Sequence, residues 1–222
     1  MNSTPRSHAG RAIEPKTTEV VFIEQPPSLV RALYPSALWR MNPHERRVYL
    51  TFDDGPIPGV TPWVLDVLDR YGIKATFFLV GDNVRKHPDE FRMLLERGHR
   101  VGNHTYNHLR GYPYSARNYL ENTEKADALI HSDLFRPPHG HMTFGQYVAL
   151  KKKYRIVMWD LVTRDYSRHL DGPQVLAKVK RYARNGSIIT FHDSLKSELK
   201  LHYALPRAIE WLQEQGYSFG TL

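Results

Sequence analysis

From Arg47 onward, short apolar runs rich in β-formers alternate with segments of helical spacing, and this alternation constrains the fold most. The strand-like runs are Val48–Asp54, Ala75–Val80, Arg100–His104, Leu134–Pro137, Arg155–Leu161, Ser187–His192 and Tyr217–Thr221. Between them, Thr61 is placed to cap a helix with Pro62 at its first position. Pro88 opens a second, with Gly98 beyond its end, and Ser115 opens a third that runs through Ile130. Phe144–Lys153, Pro173–Ala183 and Tyr203–Gln215 complete six helices. Seven strands alternating with six helices predict βαβ crossovers, an α/β fold and a mostly parallel sheet. An open doubly wound sheet and a closed barrel both fit. The barrel is favoured by chemistry: Asp53 and Asp54, His104, Arg136, Asp160 with Asp165, and His192 fall at or just beyond the C-terminal ends of five strands. A parallel barrel gathers those ends on one face.

Residues 1–46 read as an N-terminal extension, and residues 47–222 as the domain. Residues 1–18 are expected to be disordered. Glu19–Glu24 could form a short strand, and Ser28 could cap one or two helical turns ended by Pro35, attached to the domain surface. The chain has no cysteine, so disulfides, thiolate metal sites and cysteine nucleophiles are excluded, and a metal must be held by His, Asp or Glu. No apolar run reaches the roughly 20 residues that span a bilayer. The polar N-terminus does not read as a secretory signal. The location expected from this is cytoplasmic by default, with action at the cell envelope as the alternative. The net charge of +8 is spread among acidic residues, and Lys151–Lys153 is the largest basic run, so nucleic acid is not an expected partner.

Val48–Pro56 is the first stretch to carry chemistry: a buried strand ends in Asp53 and Asp54, followed by Gly-Pro. Neighbouring side chains on an extended backbone point to different sides, which suggests two jobs, cation binding and proton handling. An acidic turn is the bland reading. His104 and His108 are four apart and would share a face if the turn after the third strand were helical. With 12 histidines in the chain such a pair arises easily by chance, but Asp54 on a neighbouring strand end supplies a third ligand. Two imidazoles and one carboxylate leave open positions and suit Zn²⁺ or another divalent transition ion, such as Co²⁺ or Ni²⁺.

Five segments occur in order: Thr51–Pro56 (TFDDGP), His104–His108 (HTYNH), Arg136–Gly140 (RPPHG), Trp159–Tyr166 (WDLVTRDY) and Ile188–Asp193 (IITFHD). Together they resemble the five motifs of the polysaccharide deacetylases, the NodB-homology carbohydrate esterases of family 4. The likeness covers Arg47 to Leu222. It implies a distorted (β/α)7-type barrel. It also implies Asp54, His104 and His108 as metal ligands, Asp53 as general base held by Arg136, and His192 as general acid oriented by Asp165. His139, by its backbone N–H, Trp159, as a pocket wall, Tyr166 and Thr190 are the implied substrate-binding positions. Three positions depart from the family pattern: His139 replaces a usual Tyr, Tyr166 a common Trp, and Thr190 a Leu that helps line the acetyl-methyl pocket. The implied function is metal-dependent hydrolysis of N-acetyl groups on an N-acetylglucosamine-containing glycan, peptidoglycan or chitooligosaccharide-like, with release of acetate. The alternatives are an O-acetyl esterase on acetylated xylan or a similar glycan, and a catalytically silent glycan-binding module. Asp160 alone reads as a structural, loop-capping residue, and the loops Gly81–His87, Leu109–Tyr114 and Arg164–Gly172 as the walls that select the glycan.

Overall fold

The computed structural model describes residues 24–222. The residues Glu19–Ile23 of the expected strand, and the expected disordered region 1–18, lie outside them. The strands are β1 (Arg47–Asp53), β2 (Thr76–Leu79), β3 (Arg100–Asn103), β4 (Leu134–Phe135), β5 (Arg155–Ile156), β6 (Leu161–Val162), β7 (Ile188–His192) and β8 (Ser218–Phe219). They form one sheet in the order β5-β4-β3-β2-β1-β7-β6, with β8 on β1, and every strand pair is parallel. The helices are α1 (Ser28–Ala32), α2 (Val60–Arg70), α3 (Gly81–Lys86), α4 (Pro88–Glu96), α5 (Ala116–Ile130), α6 (Phe144–Leu150), α7 (Gly172–Tyr182) and α8 (Glu198–Glu214), with a 3-10 turn at Pro138–Gly140.

The centre of the sheet shows why the sequence closes into a distorted barrel. Six of the seven β1 residues are buried, as in a strand covered on both faces. Register pairs Tyr49 with Ile188, Thr51 with Thr190 and Asp53 with His192. These alternate positions form one face of the strand pair. Leu50 and Phe52 point the other way, into a large apolar layer with Val64, Leu68, Val175, Leu205 and Ile209 of the surrounding helices. A smaller apolar cluster, Tyr49, Phe78, Leu134, Val157 and Ile188, fills the other side of the sheet.

Closure differs from the expected single strand at Arg155–Leu161. That stretch changes partners midway: β5 pairs with β4, and β6 pairs with β7. The N-terminal segment fills the gap. Leu38 bridges Val157 in parallel and Arg40 bridges Ser187 antiparallel. Trp39 between them is 7% exposed. Leu38–Arg40 of the extension are therefore built into the sheet rather than only laid on its surface.

Several helix starts also differ. Ser28 makes no cap bond; Pro27 occupies that position. Gly59 precedes α2, and the Thr61 hydroxyl instead accepts the Ile57 N–H (2.8 Å) and donates to Asp193 (2.6 Å). Gly81–Lys86, expected as loop, is helix α3. The last helix starts at Glu198 rather than Tyr203, because Leu199 is 86% exposed and blurs the apolar periodicity there. Ser115 caps α5 as expected, its hydroxyl accepting the Asn118 N–H.

Candidate active site

The site begins where β1 stops. Asp53 keeps strand geometry, while Asp54 turns to a φ of 82°. The two carboxylates diverge because the backbone kinks between them, not because a strand alternates. A left-handed conformation is unfavourable for most residues and tolerated by Asp. Three bonds hold it: Asn83 Nδ2 donates to the Asp54 carbonyl (2.7 Å), Gly55 N–H to Asp193 Oδ1 (3.2 Å), and Val80 N–H to the Gly55 carbonyl (3.0 Å). Gly55 is required, since a Cβ there would lie 2.1 Å from Asp193 Oδ2.

His104 and His108 meet through a loop, not a helix as the spacing suggested. Thr105 and His108 both have left-handed backbones, at φ 65° and 55°. Asn103 Oδ1 accepts the Thr105 N–H, Thr105 Oγ1 the Leu109 N–H, and Asn122 Oδ1 of α5 the Tyr106 N–H. His104 Nδ1 lies 2.7 Å from the Arg136 carbonyl, which can only accept, so Nδ1 carries the proton and Nε2 presents its lone pair. His104 Nε2 is 3.7 Å and His108 Nε2 3.2 Å from Asp54 Oδ1.

One donor atom from each of Asp54, His104 and His108 lies within 4.8 Å of the other two. Tetrahedral ligands about 2.1 Å from a Zn²⁺ ion stand roughly 3.4 Å apart, so the set fits a single cation. Asp54 Oδ1 supports that fit: it is buried yet accepts no hydrogen bond. Burial alone would raise the Asp54 carboxyl, but His108, His192 and His104 outweigh it and hold it well below the usual carboxylate range. Burial keeps His104 neutral, as a ligand must be.

Two further pairs flank this cluster. Arg136 is fully buried; its Nη1 donates to Asp53 Oδ1 (2.6 Å) and Thr51 Oγ1 (2.8 Å), and Nη2 to the Met158 carbonyl (2.9 Å). Burial nevertheless prevails at Asp53 and raises its pKa. His192 is gripped twice by Asp165: ring Nδ1 lies 2.8 Å from Oδ1, and the backbone N–H donates to Oδ2 at 2.8 Å. Burial would lower the imidazole, but Asp165, then Asp54 and Asp53, raise it to about 9. Tyr166 sets its ring edge-on against His192 at 4.7 Å.

His139 has a φ of 59° within the 3-10 turn and stands edge-on to His108 at 4.7 Å. Burial, then His108 and Arg110, lower its pKa to about 4, so it stays neutral near pH 7. The Trp159 ring lies so close to Gly140 that a Cβ there would be 2.3 Å from it, which fixes that turn. Thr190 is buried a layer below His192, its hydroxyl 3.1 Å from that of Thr51.

Asp160 does not join this group. It precedes β6, where Arg31, Arg184 and Ser187 surround its carboxylate. Asp193 and Asn83, which the sequence reading left unused, do join the site as supports. Asp193 could have been suspected as an acid at the end of a buried strand; Asn83 carried no signal. A cleft of about 270 Å³ adjoins the cluster, lined by Asp54, Val80, Asp82, Asn83, Asn107 and His108.

With this geometry in view, the family model for polysaccharide deacetylases matches residues 40–156, just over half of the chain. The chain belongs to the polysaccharide deacetylase family. A peptidoglycan-N-acetylglucosamine deacetylase of Bacillus cereus is 32% identical over 192 residues, covering 83% of this chain and 90% of that protein. The peptidoglycan-N-acetylglucosamine deacetylase PgdA of Listeria monocytogenes is 34% identical over 80% of this chain, which spans only 38% of PgdA. Among solved structures, the Bc1960 peptidoglycan N-acetylglucosamine deacetylase superposes with a TM-score of 0.79 at 29% identity, covering 89% of this chain and 95% of its own. BA3943 of Bacillus anthracis, a pseudoenzyme of carbohydrate esterase family 4, gives 0.74 at 27% identity over 85% of this chain and 68% of its own. Family membership makes this chain a hydrolase of the deacetylase class. The fold also hosts a pseudoenzyme, so activity depends on the site residues. No helix among the described residues is long and apolar enough to cross a membrane.

Proposed function

We propose that this polysaccharide deacetylase family member removes N-acetyl groups from an N-acetylglucosamine-containing glycan of the peptidoglycan or chitooligosaccharide kind, releasing acetate. The observation that carries this reading is the three-ligand cluster of Asp54, His104 and His108, flanked by the Asp53–Arg136 and His192–Asp165 pairs. A pure glycan-binding module needs no such acid and base. The proposed ligands would hold a divalent cation, Zn²⁺ by preference, which when bound supplies positive charge to acidify a water and polarise an amide carbonyl.

The chain's own groups divide the remaining work. Asp53 accepts the proton of the attacking water, and its raised pKa makes it a stronger base than an exposed carboxylate. The backbone N–H at His139 donates to the carbonyl oxygen as it gains charge, a contribution of roughly 3–4 kcal/mol for a well-placed donor. His192 gives its ring proton to the leaving nitrogen, because an amide anion is too basic to leave unprotonated. Proton transfer of this kind adds roughly 10²–10⁴-fold. Asp53 and His192 face each other in register on adjacent strands, so base and acid serve one reacting centre. The products are acetate and a free amine.

The test is acetate release from chitooligosaccharides, peptidoglycan and acetylated xylan, with and without chelator. Chelator-sensitive release from the first two is expected. Release from xylan alone would assign O-acetyl esterase activity instead.

A further inference from the structure

The corner beyond His139 is left unused by this chemistry. His139 stands 6.5 Å from His141, whose carbonyl accepts the Gly111 N–H at 3.2 Å. Gln146, fully buried at the start of α6, ties the corner together. Its Nε2 donates to the carbonyls of Gly111 (2.7 Å) and Tyr114 (2.8 Å), and its Oε1 accepts the Thr143 N–H. A side chain at Gly111 would press within 2.5 Å of Gln146 Oε1 and the His141 carbonyl. The corner is therefore a braced frame rather than a loose loop.

Three large aromatic side chains stand out from this frame. Tyr112 is 69% exposed, Tyr114 44% and Phe144 68%. Grouped exposed aromatics usually mark a binding surface. Arg110, two residues before Tyr112 in the same loop, is also exposed. Among the described residues no carboxylate pairs with Arg110.

We propose that this corner binds the glycan next to the acetylated sugar. Tyr112, Tyr114 and Phe144 offer rings to the C–H faces of neighbouring pyranoses, and Arg110 pairs with a carboxylate on one of them. The occupant is a glycan because the frame adjoins the candidate site through His139, whose ring stands edge-on to that of His108 at 4.7 Å. Tyrosines also present an apolar ring with a polar tip, which matches a sugar's apolar face and hydroxyl rim. Guanidinium is the side chain best suited to a carboxylate. The inference rests on the proposed deacetylase function and adds substrate length and charge as what is recognised.

The experiment compares kcat/KM on chitooligosaccharides of two and six sugars. It also compares amino-sugar glycans bearing lactyl carboxylates with the same glycans after the carboxylates are reduced. Isothermal titration of the hexamer runs alongside. The wild type should favour length and carboxylate. Tyr112→Ala and Phe144→Ala, on separate segments, should each cut the six-to-two ratio about tenfold, the size of one lost stacking contact. Arg110→Gln should erase the preference for carboxylate. Unchanged ratios in both aromatic variants, or a self-association that Phe144→Ala abolishes, would overturn the proposal. If the wild type released no acetate from any glycan, the deacetylase function would fail. Hexamer affinity would then decide separately: weakened in the variants it supports the corner, unaltered it overturns it.

Discussion

Two buried aspartates, each bound to arginine, sit in different parts of this sheet and show opposite designs. Asp160 is saturated: Oδ1 accepts from Arg31 and Arg184, and Oδ2 from Arg184 and Ser187. Burial opposes ionisation there, but these partners outweigh it and lower the pKa. Asp53 accepts from Arg136 through Oδ1 only, and Oδ2 has no partner among the described residues. Its pKa is raised. A carboxylate meant to stay put is satisfied on every lone pair, whereas one proposed to take a proton keeps an oxygen in reserve.

The largest test of this contrast is Asp53→Asn. It should lower kcat by roughly 10²–10⁴-fold while metal content stays constant, because the Asn carbonyl still accepts from Arg136. Surviving activity would erase the difference between the two acids. Next, Asp160→Ala should cost about 3 kcal/mol in urea unfolding, with activity per folded molecule kept. That is the low end for a broken buried pair, since Arg184 is partly exposed and rehydrates. His104→Ala should lose the cation by elemental analysis, and a stoichiometry equal to wild type would refute the ligand set.

The smallest effect expected is in pH. His192 has a folded pKa of about 9 against about 6.5 unfolded. Its contribution to stability is therefore full below about 6.5 and lost as pH climbs toward 9. Histidine NMR titration of metal-free protein should place His192 near 9. In Asp165→Asn the midpoint should fall, because the largest contribution opposing burial is gone. A midpoint that ignores Asp165 would mean the pair does not set the acid.

The strand ends were legible in the sequence because buried parallel strands are apolar at consecutive positions, and a carboxylate or imidazole at their close stands out. Asp53, Asp54, His104, Arg136, Asp165 and His192 were found that way, and the structure brings them together. What escaped reading depends on backbone dihedrals and on partners distant in sequence. The four-residue spacing of His104 and His108 mimicked a helix face, but two left-handed residues produce the same juxtaposition in a loop. Asp160 stood among the strand-end polar residues because Arg155–Leu161 reads as one strand, although alone it reads as structural; the change of partners puts it before β6. The Thr61 hydroxyl was assigned to a helix end because nothing local reveals that Asp193, 132 residues away, would claim it.

The closing seam of the sheet has a consequence for how the chain can be trimmed. The Leu38 carbonyl accepts the Met158 N–H at 2.8 Å, and the Met158 carbonyl in turn accepts from Arg136, the partner of Asp53. Leu38 thus acts as the last stave of the cask, one peptide removed from the guanidinium at its heart. A version cut to begin at Arg47 would keep every residue of the five motifs and yet loosen the base that two of them hold.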